Sequence, residues 1–166
     1  AGVQVVYGVV GYKTHAKMLL IVRREGRHLR RYVHLGTGNY HSGNARAYTD
    51  FGLITADPEI GNDVHQIFQQ LSGLAPAITL RRLMQSPFTL HAALLRKIER
   101  EAELARAGRP ARIIAKLNAL VEPQVIQALY QASIDGVEID LIVRGMCSLR
   151  PEVPGVSERI RVRSVV

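Results

Sequence analysis

The feature that most constrains the fold is a strand–helix–strand run in the second half of the chain. The segments Arg112–Leu117 and Val137–Val143 are short and largely apolar, as buried strands are, and Pro123–Ser133 between them has helical periodicity. Two strands joined by a crossover helix pair in parallel, with a right-handed crossover. Arg159–Val166 reads as one more strand. This run predicts an α/β fold, and the helix residues expected to face the sheet are Val125, Leu129 and Ala132.

The first part of the chain carries strand signals without intervening helices. Val3–Val10 is an apolar run, which predicts a strand buried on both faces. Met18–Arg24 and Arg27–Leu35 are two more strand-like runs, separated by a turn at Gly26, so they predict a hairpin. We therefore expect an α/β fold of the α+β kind, with a mixed sheet that contains both the antiparallel hairpin and the parallel strand pair.

A first helix is predicted to start after Asp57. The next residues, Pro58 and Glu59, provide a proline at the first helical position and an acid in the first turn, and Asp57 itself suits the N-cap. Gly73 ends the helix. The residues predicted to lie on its apolar face are Ile60, Val64, Ile67, Phe68 and Leu71.

A second helix is predicted to start at Ser86 and Pro87 and to stop at Gly108. The connection between the two helices contains Pro76, and we place a domain boundary in it. We therefore expect residues 1–82 to belong to one domain and residues 83–166 to the next. The residues predicted to form the apolar face of the second helix are Leu90, Leu94, Ile98 and Ala102.

The chain is strongly basic, with a formal net charge of +8 and a pI of about 10.1. A domain of this charge usually handles an anion such as nucleic acid, nucleotide or polyphosphate, unless an acidic segment lies outside this sequence. Cys147 is the only cysteine, so no internal disulfide can form, and no apolar run approaches the ~20 residues of a membrane span. The single cysteine favours a cytoplasmic protein.

His15 and Lys17 form an H-x-K pair directly in front of a predicted strand. Side chains two residues apart on an extended chain project from the same face. A neutral imidazole can attack phosphorus and hold the phosphoryl group, while a neighbouring lysine binds the non-bridging oxygens. The pair is a candidate nucleophile and phosphate ligand. The alternative is a partly exposed histidine beside lysines at a strand entrance.

The G-T-G-N segment Gly36–Asn39 follows the second hairpin strand. Glycines leave backbone N–H groups free to approach a phosphate, so the backbone at Gly38 is a candidate ligand. The Asn39 amide can donate a further hydrogen bond or orient His15. An ordinary turn is the alternative.

Two further regions offer groups for a nucleotide or a phosphate. Arg46, Tyr48 and Asp50 alternate along the chain, and they suit either such a site or surface hydrogen bonding. Arg144, followed by Gly145, lies just past a predicted parallel strand, where open α/β sheets bind ligands. Its guanidinium suits a phosphate fork or a structural salt bridge.

Four blocks of the sequence match, in order, the pattern of one known family. The blocks are Lys13–Lys17, Tyr32–Tyr40, Ala45–Phe51 and Leu141–Leu149. Together they closely resemble the C-terminal half of type-1 polyphosphate kinases, and the resemblance covers essentially the whole chain. It implies two C-terminal domains with a phospholipase D-like α/β fold. It also implies reversible synthesis of polyphosphate from the γ-phosphate of ATP through a phosphohistidine.

The resemblance implies a role for each candidate residue. His15 matches the histidine that becomes phosphorylated, and Lys17 and Asn39 match a phosphate-facing lysine and amide. Tyr48 and Arg144 match residues that contact the nucleotide and its phosphates. The family also implies ATP and ADP with polyphosphate as substrates and products, Mg²⁺ with ligands outside this sequence, and a dimer or tetramer.

The sequence departs from related patterns in ways that decide between alternatives. The phospholipase D motif H-x-K-x-x-x-x-D needs an aspartate at position 22, and this chain has Val22, so a phosphodiesterase or nuclease is disfavoured. The family's second catalytic histidine is expected past Val166 and its Mg²⁺-binding arginines before Ala1. We therefore expect a piece of a longer enzyme that is inactive alone. A non-catalytic polyanion-binding module is the remaining alternative, and an aromatic content of 5% without Trp disfavours nucleic acid.

Overall fold

A computed structural model describes residues 2–73 and 79–165. The chain divides into two compact units, residues 1–83 (unit 1) and residues 84–166 (unit 2). Unit 1 contains a three-stranded antiparallel sheet and unit 2 a three-stranded parallel sheet. The predicted α/β class is confirmed, with the two kinds of pairing in separate sheets. No helix in the described ranges is both long enough and apolar enough to cross a membrane.

The sheet of unit 1 has the order β1 (Lys17–Glu25), β2 (His28–Gly36) and β3 (Gly52–Thr55). Strand β1 pairs with β2 along its whole length, so the predicted hairpin is confirmed. Gly26 at its tip has a φ of +60°, which favours glycine. Strand β3 is not predicted from the sequence, because four residues are too few for alternation to be recognised.

Two helices complete unit 1, a short α1 (Ser42–Ala47) and a longer α2 (Pro58–Leu71). Helix α2 begins where the sequence predicts, because the Asp57 carboxylate accepts hydrogen bonds from the backbone N–H groups of Glu59 and Ile60, each at 2.9 Å. These bonds satisfy donors that have no partner inside the helix.

Helix α2 packs against β2. Val64 and Ile67 are buried as predicted, and Val33 of β2 is also in the core. Phe68 was predicted to face inward, but it is 36% exposed. Fewer residues of α2 are buried than its apolar face predicts, because a three-stranded sheet covers only part of the helix surface.

Asp63 is a fully buried carboxylate on α2 that the apolar pattern does not reveal. It accepts hydrogen bonds from the backbone N–H groups of Arg81, Arg82 and Leu83 at 2.7–3.0 Å. Burial alone raises the pKa of Asp63, but the three hydrogen bonds outweigh it and the pKa lies below its ordinary value. The charged carboxylate therefore ties residues 81–83 to α2.

The predicted strand over Val3–Val10 is wrong. These residues form no strand, and their side chains are exposed, with Tyr7 96% and Val10 99% exposed. A strand needs a neighbour to satisfy its backbone groups, and no described strand pairs with this segment. The turn predicted at Gly11 is confirmed, with a φ of +83°.

Unit 2 contains the predicted parallel pair and a third strand within the predicted Arg159–Val166 segment. Its sheet has the order β4 (Arg112–Leu117), β5 (Glu138–Val143) and β6 (Ile160–Arg163), and both pairings are parallel. Helix α4 (Pro123–Ile134) connects β4 to β5, which confirms the strand–helix–strand prediction. The helix residues predicted to be buried are buried, namely Val125, Leu129 and Ala132.

The second helix starts later than predicted, because α3 spans Leu90–Arg106. Ser86 and Pro87 lie in a turn instead. The N–H groups of Thr89 and Leu90 both donate to the Gln85 carbonyl, and the Thr89 hydroxyl accepts from the Gln85 N–H at 2.9 Å. These local bonds close a turn ahead of the helix and replace the predicted cap.

The buried face of α3 is rotated from the predicted one. Ile98 and Ala102 are buried as predicted, and so is Ala93. Leu90 and Leu94 were predicted to face inward, but they are 42% and 37% exposed. Near the start of the helix, Ala93 is therefore the residue that enters the core instead of Leu90 and Leu94.

Candidate functional site

The candidate site lies where β1 begins and β2 ends. Lys17, the first residue of β1, pairs with Gly36, the last residue of β2. His15 precedes this pair and Asn39 follows it. Antiparallel pairing thus brings together two segments that are far apart in the sequence.

An open depression with a volume of about 370 Å³ is present at this end of the hairpin. Its lining includes His15, Lys17 and Asn39, which are three of the predicted site residues. Gly38 and Tyr48 are not among the described residues that line it. The other lining residues are Thr14, Ala16, Met18 and Tyr40.

The Lys17 ammonium lies against the His15 side chain. Lys17 Nζ is 3.1 Å from His15 Nδ1 and 3.2 Å from Nε2, and it donates a hydrogen bond to the His15 carbonyl at 2.7 Å. The prediction that the two side chains share one face is confirmed.

The Gly36–Asn39 loop is held by residues 50 and 51. Thr37 Oγ1 donates to the Asp50 carboxylate at 3.0 Å and accepts from the Phe51 N–H at 2.9 Å. A Cβ atom on Gly38 would overlap the Asp50 carboxylate. Glycine at this position therefore makes room for a neighbouring side chain of the same unit.

Tyr40 lines the depression and contacts His34, and neither residue was predicted to be part of the site. The Tyr40 hydroxyl is 2.7 Å from His34 Nδ1, and the two rings are tilted by 50°. The His34 ring packs over two paired glycines, since a Cβ would lie 3.2 Å from the ring at Gly36 and 3.0 Å at Gly52. The alternation of His34 and Gly36 was visible in the sequence, but Gly52 belongs to β3, which was not predicted.

Tyr48 lies at the C-terminal end of α1. Its backbone N–H donates to the Asn44 carbonyl at 3.0 Å, and 40% of the residue is exposed. Arg46 lies within α1 and Asp50 in the loop after it. The three alternating polar residues therefore do not form one extended wall.

Arg144 is in unit 2, directly after β5, as the sequence predicts. Its backbone N–H donates to the Leu117 carbonyl at 3.2 Å. Further along, the Leu120 N–H donates to the Met146 carbonyl, and the Ser148 N–H donates to the Leu120 carbonyl, both at 2.8 Å. These bonds extend the pairing of β4 and β5 past the strand ends and hold the loop that carries the exposed Arg144.

Gly145 allows this close approach, and we expect Gly145→Ala to loosen the loop. A Cβ at Gly145 would lie 2.7 Å from the Asn118 carbonyl oxygen, and a backbone atom has little room to move. The expected cost is about 2 kcal/mol, which corresponds to roughly thirtyfold faster hydrogen exchange at the Leu120 and Ser148 amides. Met146→Ala is the control, because Met146 is 70% exposed in the same loop. Equal exchange rates in the two variants would contradict the prediction.

The described residues offer no metal site of their own. No group of three or more His, Cys, Asp or Glu side chains within residues 2–73 and 79–165 could hold a metal ion. The chemistry that this arrangement supports is that of an exposed imidazole beside an ammonium in an α/β chain, which suits phosphoryl transfer.

Comparison with known families agrees with this chemistry. The family models described as polyphosphate kinase C-terminal domain 1 and polyphosphate kinase C-terminal domain 2 match residues 1–77 and 83–166. The chain therefore belongs to the polyphosphate kinase family, and the resemblance found in the sequence is confirmed.

Individual relatives place the chain within longer proteins. The polyphosphate kinase of Xylella fastidiosa (strain 9a5c) is 74% identical over 166 residues, which are 100% of this chain and 24% of that protein. The polyphosphate kinase of Neisseria gonorrhoeae is 63% identical, again over 100% of this chain and 24% of the relative. The crystal structure of the Porphyromonas gingivalis polyphosphate kinase matches with a TM-score of 0.87 at 39% identity, covering 99% of this chain and 27% of that one. The chain thus spans about a quarter of the length of the curated relatives that it matches.

Proposed function

We propose that this chain carries the phosphohistidine of a polyphosphate kinase. The full-length enzyme transfers the γ-phosphoryl group of ATP reversibly to inorganic polyphosphate, and His15 is the residue that accepts it. The observation that carries the proposal is the exposed His15 imidazole held against Lys17 in an open depression. The isolated chain is expected to be inactive, because it spans only about a quarter of its relatives.

The proposed reaction has two displacements at phosphorus. A neutral His15 nitrogen attacks the γ-phosphorus of ATP, and an N–P bond forms as the bond to the β–γ bridging oxygen breaks and ADP leaves. A terminal oxygen of polyphosphate then attacks the phosphohistidine, and the N–P bond breaks with return of its electron pair to the imidazole. Both steps are reversible, so polyphosphate and ADP regenerate ATP.

Lys17 has two roles in this proposal. Its ammonium lies within 3.1–3.2 Å of both imidazole nitrogens. Its flexible stem lets the ammonium turn towards the phosphate oxygens of a bound substrate, which frees the imidazole. The same movement places positive charge where negative charge develops in the transition state.

The remaining site residues are proposed to bind ATP and its phosphates. The Asn39 amide is on the same depression as His15, and its N–H groups suit phosphate oxygens. The Asp50 carboxylate lies where a Cβ on Gly38 would be, so the phosphate contact proposed for Gly38 is made by its backbone N–H. Tyr48 and Arg144 are exposed, and the Arg144 guanidinium can bind two phosphate oxygens at once.

Several properties of the full-length enzyme complete the proposal. We propose that it uses Mg²⁺ held by residues outside this sequence, as the resemblance to the family implies. It is proposed to be a cytoplasmic dimer or tetramer that does not bind nucleic acid, or one held at the inner face of the membrane. Residues 1–82 then form the later part of one phospholipase D-like domain, and residues 83–166 the earlier part of the next.

The test is to locate the phosphorylated residue chemically. The full-length enzyme is incubated with ATP labelled at the γ-phosphate and digested, and the labelled peptide is sequenced. We expect an acid-labile, base-stable label on His15 that ADP or polyphosphate removes. A label on another residue, or cleavage of nucleic-acid or lipid diesters without any label, would overturn the proposal in favour of a phosphodiesterase.

A further inference from the structure

His34 is held in place on one face of the antiparallel sheet in unit 1. It lies on the central strand β2, between its paired residues Leu19 of β1 and Ile54 of β3. The ring lies over Gly36 and Gly52, which are paired with each other two residues further along on the same face. A Cβ would lie 3.2 Å from the ring at Gly36 and 3.0 Å at Gly52, closer than ordinary van der Waals contact. The two glycines therefore provide the space that the His34 ring occupies.

The His34 ring in turn holds the Tyr40 side chain. The Tyr40 hydroxyl lies 2.7 Å from His34 Nδ1, and the two ring centroids are 5.5 Å apart. Both neutral tautomers of the imidazole keep this hydrogen bond, because Nδ1 accepts from the hydroxyl when it carries no proton and donates to the hydroxyl oxygen when it carries one. Tyr40 is 61% exposed, so little packing restrains it, and the contacts with His34 keep it in one position.

Tyr40 anchors one end of the short loop that carries Asn39. The other end is anchored at Thr37, whose hydroxyl is hydrogen-bonded to the segment that follows α1. Asn39 and Tyr40 are neighbours in the chain, and both line the depression that contains His15. His34 is not among the described residues that line this depression. It therefore influences the depression through Tyr40, by limiting where the Asn39 amide can lie.

We propose that His34 is a positioning residue for phosphate binding, which acts through the Tyr40 hydroxyl to hold the Asn39 amide in the depression. This inference rests on the proposed function, in which Asn39 binds phosphate oxygens of ATP. The contact between His15 and Lys17 is made within their own segment and does not use the loop. A looser loop should therefore weaken the binding of ATP, while the attack by His15 on bound ATP stays nearly as fast.

The test uses the full-length enzyme and the single variants His34→Phe and Tyr40→Phe. Each variant keeps an aromatic ring and removes one partner of the hydrogen bond. We expect each to raise the KM for ATP roughly fivefold, as the loss of one hydrogen bond implies, and to change kcat less than about twofold. The double variant His34→Phe/Tyr40→Phe should show the same rise of about fivefold instead of the roughly 25-fold rise of two independent effects, because both substitutions break the same bond.

A conservative variant separates the hydrogen bond from the ring. In His34→Asn, the amide places an acceptor and a donor near the position of Nδ1, so the KM for ATP should stay within about twofold of the wild-type value. The matched control is His28→Phe, because His28 is on the same strand and face as His34 but is exposed at the far end of the hairpin. This control is expected to leave both KM and kcat unchanged.

Several results would overturn the inference. They are an unchanged KM in His34→Phe, additive effects in the double variant, an equal rise in the control, or a KM for His34→Asn as high as that for His34→Phe. A rise in Tyr40→Phe alone would also overturn it, because the hydroxyl would then bind phosphate without His34.

A second route to the same result covers the case in which His34→Phe does not fold. Gly52→Ala places a Cβ 3.0 Å from His34 Nε2 and displaces the ring. It should raise the KM for ATP more than about twofold in the wild type and leave it unchanged in a Tyr40→Phe background. An unchanged KM in the wild-type background would overturn the inference. Failure of the proposed function would look different, since the wild-type enzyme would then carry no label on His15.

Discussion

Replacing His15 with glutamine in the full-length enzyme is expected to abolish phosphorylation of the protein and to lower kcat by roughly 10⁴-fold or more. Glutamine has a similar size and still accepts a hydrogen bond from Lys17, but its amide cannot attack phosphorus. The measurement is transfer of label from γ-labelled ATP to the protein, together with steady-state formation of polyphosphate. His15 is exposed, so the melting temperature is expected to stay unchanged.

The matched control is His28→Gln, because His28 is also exposed but lies at the far end of the hairpin. This control is expected to keep both the label and the rate. A label that survives His15→Gln would rule out His15 as the nucleophile. A rate that falls equally in both variants would mean that the hairpin as a whole, rather than the His15 nitrogen, limits the reaction.

Replacing Asp63 with asparagine is expected to destabilise the attachment of residues 81–83 to α2 by about 3 kcal/mol. The Asp63 carboxylate accepts from three backbone N–H groups while fully buried. An amide has one acceptor oxygen and turns its own NH₂ towards these donors, and each buried donor left without a partner costs ~1–3 kcal/mol. The measurement is hydrogen exchange in the full-length enzyme, with roughly hundredfold faster exchange expected at the amides of Arg81, Arg82 and Leu83.

The matched control is Glu59→Gln on the same helix. Glu59 also contacts this segment, through Arg81 and Arg82, but the pairs are exposed and should cost less than about 1 kcal/mol when removed. Equal effects of the two substitutions would contradict the assigned role of Asp63. Folding lowers the pKa of Asp63, so the ionised carboxylate stabilises the folded state fully at pH values above the ordinary aspartate pKa of 3.8. This stabilisation is lost as the pH falls from 3.8 towards the lowered pKa of the folded state. In Asp63→Asn this acid-dependent loss should be absent.

Local signals in the sequence predicted the elements whose causes are themselves local. Helix α2 starts after Asp57 because the capping carboxylate and the first-turn N–H groups are neighbours in the chain. Strand β4 and the buried positions of α4 also agree with the prediction. The spacing of apolar residues along a strand or helix predicts which side chains are buried when one face of that element packs in the core. The paired position of His15 and Lys17 follows from the same alternation.

Other features depended on contacts between distant residues. Val3–Val10 has the composition of a strand, yet strand formation requires a partner that no local pattern specifies. The start of α3 was predicted wrongly because a local turn at Gln85 competed with the expected cap. Asp63 could not be recognised as buried, because its three partners lie on the far side of the connection after α2.

By itself, the sequence of Tyr12–Asn39 determined an H-x-K pair, a hairpin and a glycine loop, because extended-chain alternation and turn preferences act between near neighbours. Only the tertiary structure decided how these parts meet. Antiparallel pairing of Lys17 with Gly36 brings Asn39 to the depression that contains His15. A Cβ on Gly38 would overlap the Asp50 carboxylate, and the register of β5 and β6 places Arg161 beside Asp140. Register and close approach are relations between residues far apart in the chain, so they appear only once the strands have paired.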